Sequence, residues 1–480
     1  MIVGMTMTAS RVRAFRRAAL SCAAILCTVA LPGSASAETL NEALVQAYLG
    51  NPTLNAQRAS TRATDELVPQ ALSGYRPQIA ASADGGVSGT RVRRPSQGFS
   101  TKTETLTASA GLTVEQPLFD GFRTKNSVRQ AESSVLASRE TLLNTEQNVL
   151  FDAAEAYMNV LRDFAIFDLR RNNVDLLDEE LRATRERFEV GEVTRTDTAL
   201  AESRLSGSRS EFSVAEANLK ASRAIYRQVI GADPTKLHPG QPIDKMLPPS
   251  EKAALEIGYI EHPASRAALH AVDAAEMQVR VIQGELAPSL ALQGNAGHQW
   301  DNSNSSPDGG VTDLERHTSS ASVLGVLRVP IYQGGQEYSR VRESKEILGQ
   351  RRLEADSVRD QVRAAVVSAW GALEGAKSQI IAAQAQVEAS TIALSGVREE
   401  ARVGQRTTLD VLNFQQEQLD ARVALITAQR DRVVASYALL QAIGRLNVAQ
   451  LALNVPAYDS RVHYDQVRDK WFGLRTPDGR

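Results

Sequence analysis

From Phe122 to Val190 the chain runs about 69 residues with neither Gly nor Pro, and Leu169, Val174, Leu177 and Leu181 recur at helical spacing among charged residues. At about 1.5 Å per residue this segment predicts a helix roughly 100 Å long, far beyond globular norms. A second helical stretch, Thr196 to Ile230, follows Gly191, and a third, Thr53 to Arg76, comes earlier. Its counterpart later in the chain is longer, Ala253 to Leu286. Laid end to end, two shorter pieces match one long one, so the pattern predicts a long helix packed antiparallel to two shorter ones.

The period falls to two at Thr105 to Glu115, where Leu106, Ala108, Ala110, Leu112 and Val114 alternate with Thr105, Thr107, Ser109, Thr113 and Glu115. One face is apolar and the other polar for about 10 residues, the length of a tilted strand crossing a bilayer. Its predicted partner is Pro77 to Val87, and a weaker second hairpin pairs Pro288 to His298 with Ser320 to Val329. The segments between, Ser88 to Lys102 and Gln299 to Thr318, are polar and read as loops. A soluble four-stranded sheet packed on helices is the other reading of this pattern. Four strands cannot close a membrane barrel, because single-chain barrels begin at about eight, and an open edge in lipid leaves backbone groups unpaired. If these strands span a membrane, several chains share one barrel.

The order is written twice. Pro117-Leu118-Phe119-Asp120-Gly121 returns as Pro330-Ile331-Tyr332-Gln333-Gly334, Val190-Gly191 as Val403-Gly404 and Ile230-Gly231 as Ile443-Gly444, each at 330 − 117 = 404 − 191 = 444 − 231 = 213. Asn51-Pro52 and Arg76-Pro77 match His262-Pro263 and Ala287-Pro288 at 263 − 52 = 288 − 77 = 211. A period this long is too large for a solenoid and reads as a repeated helix-and-hairpin module. The expected divisions are a leader at 1–37, a first repeat at 38–231, a Pro-rich bridge at 232–250, a second repeat at 251–446 and a tail at 447–480.

The leader reading rests on Arg11, Arg13, Arg16 and Arg17 before an apolar run from Ala18 to Leu31 that ends in Ala35-Ser36-Ala37. That is a secretory signal peptide with a small-residue cleavage site, and its apolar run is too short for a membrane helix. Both cysteines, Cys22 and Cys27, lie inside it, so no disulfide or thiolate metal site is expected in the exported chain. Removing the leader takes the formal charge from 54 − 56 = −2 to 50 − 56 = −6, which argues against a nucleic-acid partner.

With the duplication, the hairpins and the two turn motifs in place, the sequence resembles the TolC family of outer-membrane efflux and secretion proteins from about Thr39 to Leu446. The residues that carry the resemblance best are Val403-Gly404-Gln405-Arg406-Thr407-Thr408-Leu409-Asp410-Val411-Leu412, with Val190-Gly191-Glu192-Val193-Thr194-Arg195-Thr196-Asp197 as a weaker copy. The resemblance implies a mainly α fold with a membrane β-barrel portion: a homotrimer whose chains each give four strands to a 12-stranded barrel, over a tunnel of long periplasmic helices. It implies partners as well, namely a periplasmic adaptor (membrane fusion) protein, an inner-membrane RND or ABC transporter, and outer-membrane lipid. It places an equatorial belt at the 232–250 bridge and part of the tail.

The resemblance also assigns a pore gate to Thr196, Asp197, Arg406, Asp410 and Asn413, with three symmetry-related Asp410 carboxylates ringing a narrow axis and Arg406 helping to lock it. Asn413 stands where a second aspartate can occur, and Ala401 where a tyrosine can serve the lock. Val190, Gly191, Val403, Gly404 and Gln405 match the tips met by the adaptor. Asp197, Asp410 and the two Val-Gly turns have a second reading: Thr194-x-x-Asp197 and Thr407-x-x-Asp410 form capping boxes, and the glycines suit a helix-ending turn. Phe119, Phe122, Tyr332 and Tyr338, where strand meets helix, read as membrane-interface aromatics or as packing at the barrel base.

No catalytic or cofactor motif is present. The six histidines, His238, His262, His270, His298, His317 and His463, show no ligand spacing, and there is no phosphate loop, dinucleotide fingerprint or nucleophile elbow. No enzyme, cofactor or metal is expected. Two non-enzymatic alternatives to the channel are a periplasmic adaptor, which would carry one hairpin flanked by lipoyl-like segments, and an exported coiled-coil scaffold, which leaves the alternating strands unexplained.

Overall fold

The structure, a computed structural model, describes residues 38–94, 99–306 and 312–479, so the leader predicted at 1–37 lies outside the described residues. The first half runs α1 (Leu40–Gly50), α2 (Pro52–Asp65), α3 (Leu67–Leu72), β1 (Gln78–Arg94), β2 (Phe99–Phe119), α4 (Arg123–Glu189) and α5 (Arg195–Ile230). The second runs α6 (Glu251–Glu261), α7 (Pro263–Gln283), β3 (Ser289–Ser306), β4 (Thr312–Arg328), α8 (Gln336–Arg402) and α9 (Thr408–Ala442), and α10 (Arg461–Val467) lies in the tail.

The long helices α4 and α8 have 67 residues each, about 100 Å at the standard rise. Each packs along its own return helix, α4 on α5 and α8 on α9, with α7 lying against both long helices. A helix this long is held by tertiary contacts along its length rather than by propensity.

The third helical stretch differs from the sequence expectation. The run expected from Ala253 to Leu286 is broken at His262, an extended residue whose ring Nδ1 accepts the Ala264 N–H at 3.2 Å before Pro263 opens α7. Asn51 does the same in the first half: its Oδ1 accepts from the Thr53 and Leu54 N–H groups, and its Nδ2 donates to the Val229 carbonyl. Proline explains both breaks, because it lacks an N–H and disfavours helical geometry in the residue before it. The helix α1, not anticipated as a separate element, is therefore the counterpart of α6.

The main core sits midway along the long helices. Leu150, Ala153 and Tyr157 of α4 meet Ala43, Leu44 and Ala47 of α1, Tyr226 of α5, Leu439 and Leu440 of α9, and Val448 and Leu453 beyond it. The bridge passes the same level, where Glu38 pairs with Leu237 and the Tyr157 hydroxyl is shared by the Glu38 and His238 carbonyls at 2.8 and 2.7 Å. Smaller clusters lie toward the two ends, one of Leu177, Leu181, Ala201, Leu205 and Leu412, the other of Val68, Ala131 and Val135. The tail runs back along the molecule: His463 Nδ1 lies 2.9 Å from buried Asp65, and Arg76 donates to the Lys470 carbonyl while covering the Trp471 ring.

The four strands form one antiparallel sheet in the order β1-β2-β3-β4. They are longer than expected, 17, 21, 18 and 17 residues, because most of the two polar segments expected as loops continues the ladder, as in Arg91↔Lys102 and Asn302↔Glu315. Loss of apolar alternation marks where burial in an apolar phase stops. Backbone pairing does not stop there, since Thr, Ser and Arg side chains can stand in water on both faces.

The register puts Ile79, Val87, Leu106, Leu112 and Val323 on one face, where all five are exposed, and Asp84, Ser109, Thr113, Asn295 and Asp301 on the other. Among the described residues no helix is long and apolar enough to cross a membrane.

Candidate functional site at the paired helical tips

The α4–α5 and α8–α9 connections are the same structure built twice. Val190 ends α4, Gly191 follows at φ +80°, its N–H donates to the Phe188 carbonyl at 3.0 Å, and the Glu192 N–H donates to the Arg187 carbonyl at 2.8 Å. In the second turn Gly404 has φ +76°, with Gly404 N–H to Ala401 carbonyl at 3.0 Å and Gln405 N–H to Glu400 carbonyl at 2.9 Å. Both are Schellman turns, in which a left-handed glycine lets two orphan carbonyls of the helix end be satisfied.

Three residues later each return helix opens with a reciprocal cap. The Asp410 carboxylate accepts the Thr407 N–H at 3.0 Å and its hydroxyl at 2.8 Å, while the Thr407 hydroxyl oxygen accepts the Asp410 N–H at 3.2 Å. Asp197 and Thr194 repeat this at 2.9, 2.7 and 3.3 Å. The Thr407 backbone N–H, then its hydroxyl, hold the Asp410 carboxyl below the usual carboxylate range, with Arg406 adding a smaller pull.

The other residues expected at a gate are brought close, but not all to one another. Arg406 donates its Nε–H to Glu400 at 2.8 Å, across its own turn. Asn413 Oδ1 accepts from Arg204 of α5 at 2.6 Å, and Leu412 is buried with Leu177, Leu181, Ala201 and Leu205, so the two tips lie at the same end. Thr196 is exposed beside the first cap. Glu400 and Arg204 were missed by the sequence reading. The resemblance pointed to Arg406 and Asn413 but not to their partners, one beyond the turn and the other 413 − 204 = 209 positions away.

Val190 and Val403 stand out from the tips at 79% and 71% exposure, with Gly191, Gly404 and Gln405 exposed beside them. At the opposite end of the long helices Phe119 and Phe122 stack edge to face at 5.2 Å, and both remain exposed, as do Tyr332 and Tyr338. Among the described residues no group of three or more His, Cys, Asp or Glu is placed to hold a metal ion.

The family profile described as outer membrane efflux protein matches residues 43–232 and 260–445. The outer membrane efflux protein BepC of Brucella suis is 43% identical over 463 residues, 96% of this chain and 97% of the relative. The outer membrane protein TolC of Vibrio cholerae is 28% identical over 86% of this chain and 92% of its own. In fold, the Campylobacter jejuni CmeC outer membrane channel superposes with a TM-score of 0.73 at 18% identity, covering 90% of this chain and 89% of that one. The chain therefore belongs to the outer membrane efflux protein family, the channels of the Gram-negative outer membrane.

Proposed function

We propose that three copies of this chain form one channel-tunnel, a passive exit duct for efflux pumps or type I secretion systems that opens at the paired tips. The observation that carries this is the sheet: four long antiparallel strands with an apolar exposed face, ending in β1 and β4, each with an unpaired edge. In lipid those edges must pair, and pairing β1 of one copy with β4 of the next satisfies both. A second surface fits the same arrangement, an apolar groove between α6 and α8 lined by Leu255, Tyr259, Ile260, Val362 and Val366, which a neighbouring copy would cover.

In this reading α4, α5, α8 and α9 enclose the tunnel, Asp410 and Arg406 with Thr196, Asp197 and Asn413 constrict its far end, and the adaptor engages Val190, Gly191, Val403, Gly404 and Gln405. The work of transport comes from an inner-membrane RND or ABC transporter, and this chain contributes a conduit without chemistry of its own. The exposed aromatic residues at the sheet base sit at the inner membrane–water boundary.

The test is the native mass of protein extracted in mild detergent from isolated outer membranes. Three chains per particle are expected. A single chain per particle would remove the shared barrel.

A further inference from the structure

The apolar face of the sheet changes character toward its free end. On the same face as Leu106 and Ala108 stand His298 and Trp300 of β3 and Glu315, His317 and Ser319 of β4, in the register His298↔Ser319 and Trp300↔His317. The two imidazole centroids are 5.8 Å apart. His298 Nδ1 lies 2.9 Å from Ser319 Oγ, and His317 Nε2 lies 3.2 Å from Glu315 Oε1, which also accepts the Trp300 indole N–H at 3.0 Å.

Each ring thus has one nitrogen engaged by a hydroxyl or carboxylate. The other nitrogen, Nε2 of His298 and Nδ1 of His317, has no hydrogen-bond partner among the described residues. At His317 the Glu315 carboxylate can only accept, which puts the proton on Nε2 and leaves the Nδ1 lone pair for an ion; at His298 the Ser319 hydroxyl can accept from Nδ1, the tautomer that leaves the Nε2 lone pair for the same ion. With metal–nitrogen bonds of about 2.0 to 2.1 Å, two imidazoles on one ion hold their centroids roughly 5 Å apart, close to the 5.8 Å seen here, and with the ring planes at 30° a side-chain rotation is needed to turn both free nitrogens onto one ion.

The local charge also favours a cation. A carboxylate beside two imidazole donors suits a metal ion and disfavours phosphate, and strand alternation puts Arg316 on the opposite face. Imidazole donors suit copper, nickel and zinc. His298 lies 298 − 289 = 9 residues beyond the start of β3, about 30 Å along the strand. That is near the outer limit of an apolar band about 25 Å tall on tilted strands, where ions from outside can reach it.

We propose that His298 and His317 form a surface site for a divalent transition metal ion, with Glu315 and Ser319 as positioning residues and water completing the coordination. The two histidines are 317 − 298 = 19 positions apart, so the spacing of the sequence concealed a pair that only the β3–β4 register assembles. The site lies within one hairpin and does not depend on how many chains form the channel.

The full chain, prepared without a polyhistidine tag, would be titrated with Cu²⁺ by calorimetry and the bound ion observed by electron paramagnetic resonance. One ion per chain is expected, with nitrogen couplings from two imidazoles. His298→Asn and His317→Asn should each weaken binding by about tenfold or more and remove one nitrogen. Glu315→Gln should weaken it about tenfold while both nitrogens remain, the usual scale for an outer-shell partner. An unchanged native mass for every variant verifies that the barrel still assembles. Wild-type binding in both histidine variants, or an unaltered nitrogen pattern, would overturn the site and put the ion elsewhere in the chain.

Discussion

Glu146 on α4 is buried to 8% exposure in the central core, where its carboxylate accepts the Val448 N–H at 3.0 Å. Burial pushes its carboxyl above the ordinary 4.5, and the Val448 hydrogen bond and the charge of Arg58 only partly oppose that. The folded chain therefore keeps this proton at pH values where the unfolded chain has released it. The contribution of this group to stability is fully present below about 4.5 and is lost as pH rises through the window above it. Glu146→Gln keeps an acceptor for Val448 and cannot ionise, so its Tm should exceed that of the wild type at pH 8 and coincide with it at pH 4. Equal values at pH 8 would mean that the buried charge has no cost. Residue roles of this kind are hard to read in a sequence. Asp197 and Asp410 could be placed because each caps a backbone three residues away, whereas Glu146, Glu400 and Arg204 act on partners that only the fold brings near.

The turn is the element where sequence and structure agree most closely, since a left-handed glycine and a Thr-x-x-Asp cap are both local devices. Gly404 has open space around the position of a Cβ, so Gly404→Ala meets no clash and tests the φ of +76° alone. A left-handed alanine costs about 1 to 2 kcal/mol. The Gln405 amide, which closes the turn onto Glu400, should then exchange with solvent roughly tenfold faster, following about 1.4 kcal/mol per decade. Val403→Asp probes the outward side of the same element: with the valine exposed, native mass should not change and export activity should fall. Unimpaired export would remove Val403 from the proposed adaptor contact. Long helices were legible for a related reason, because 67 residues without a strong stop signal leave few alternatives. Strand ends were not, because the ladder past Val87 and His298 is held by backbone pairing that polar residues permit without announcing it.

At the scale of the whole molecule the question is whether Asp410 is more than a cap, because its geometry in one chain is fully accounted for by Thr407. Around a threefold axis the same side chain would stand three times at the narrowest point, where like charges in confined space favour cations and raise one another's pKa. The two roles respond differently to substitution. Asp410→Asn retains a side-chain oxygen able to accept from the Thr407 N–H, so the turn persists, while three negative charges would leave the axis of the proposed trimer. In planar bilayers the reversal potential under a salt gradient should shift away from cation preference, and the closed-state conductance should rise as the constriction loosens. The difference from wild type should shrink as salt is raised, because the Debye length falls from about 10 Å at 0.1 M to about 3 Å at 1 M. Asp410→Ala removes the cap as well and should add local fraying of α9 to the same electrical change. If Asp410→Asn conducts with wild-type selectivity at low salt, the carboxylate serves the helix start alone, and the constriction belongs to the Arg406–Glu400 and Arg204–Asn413 links.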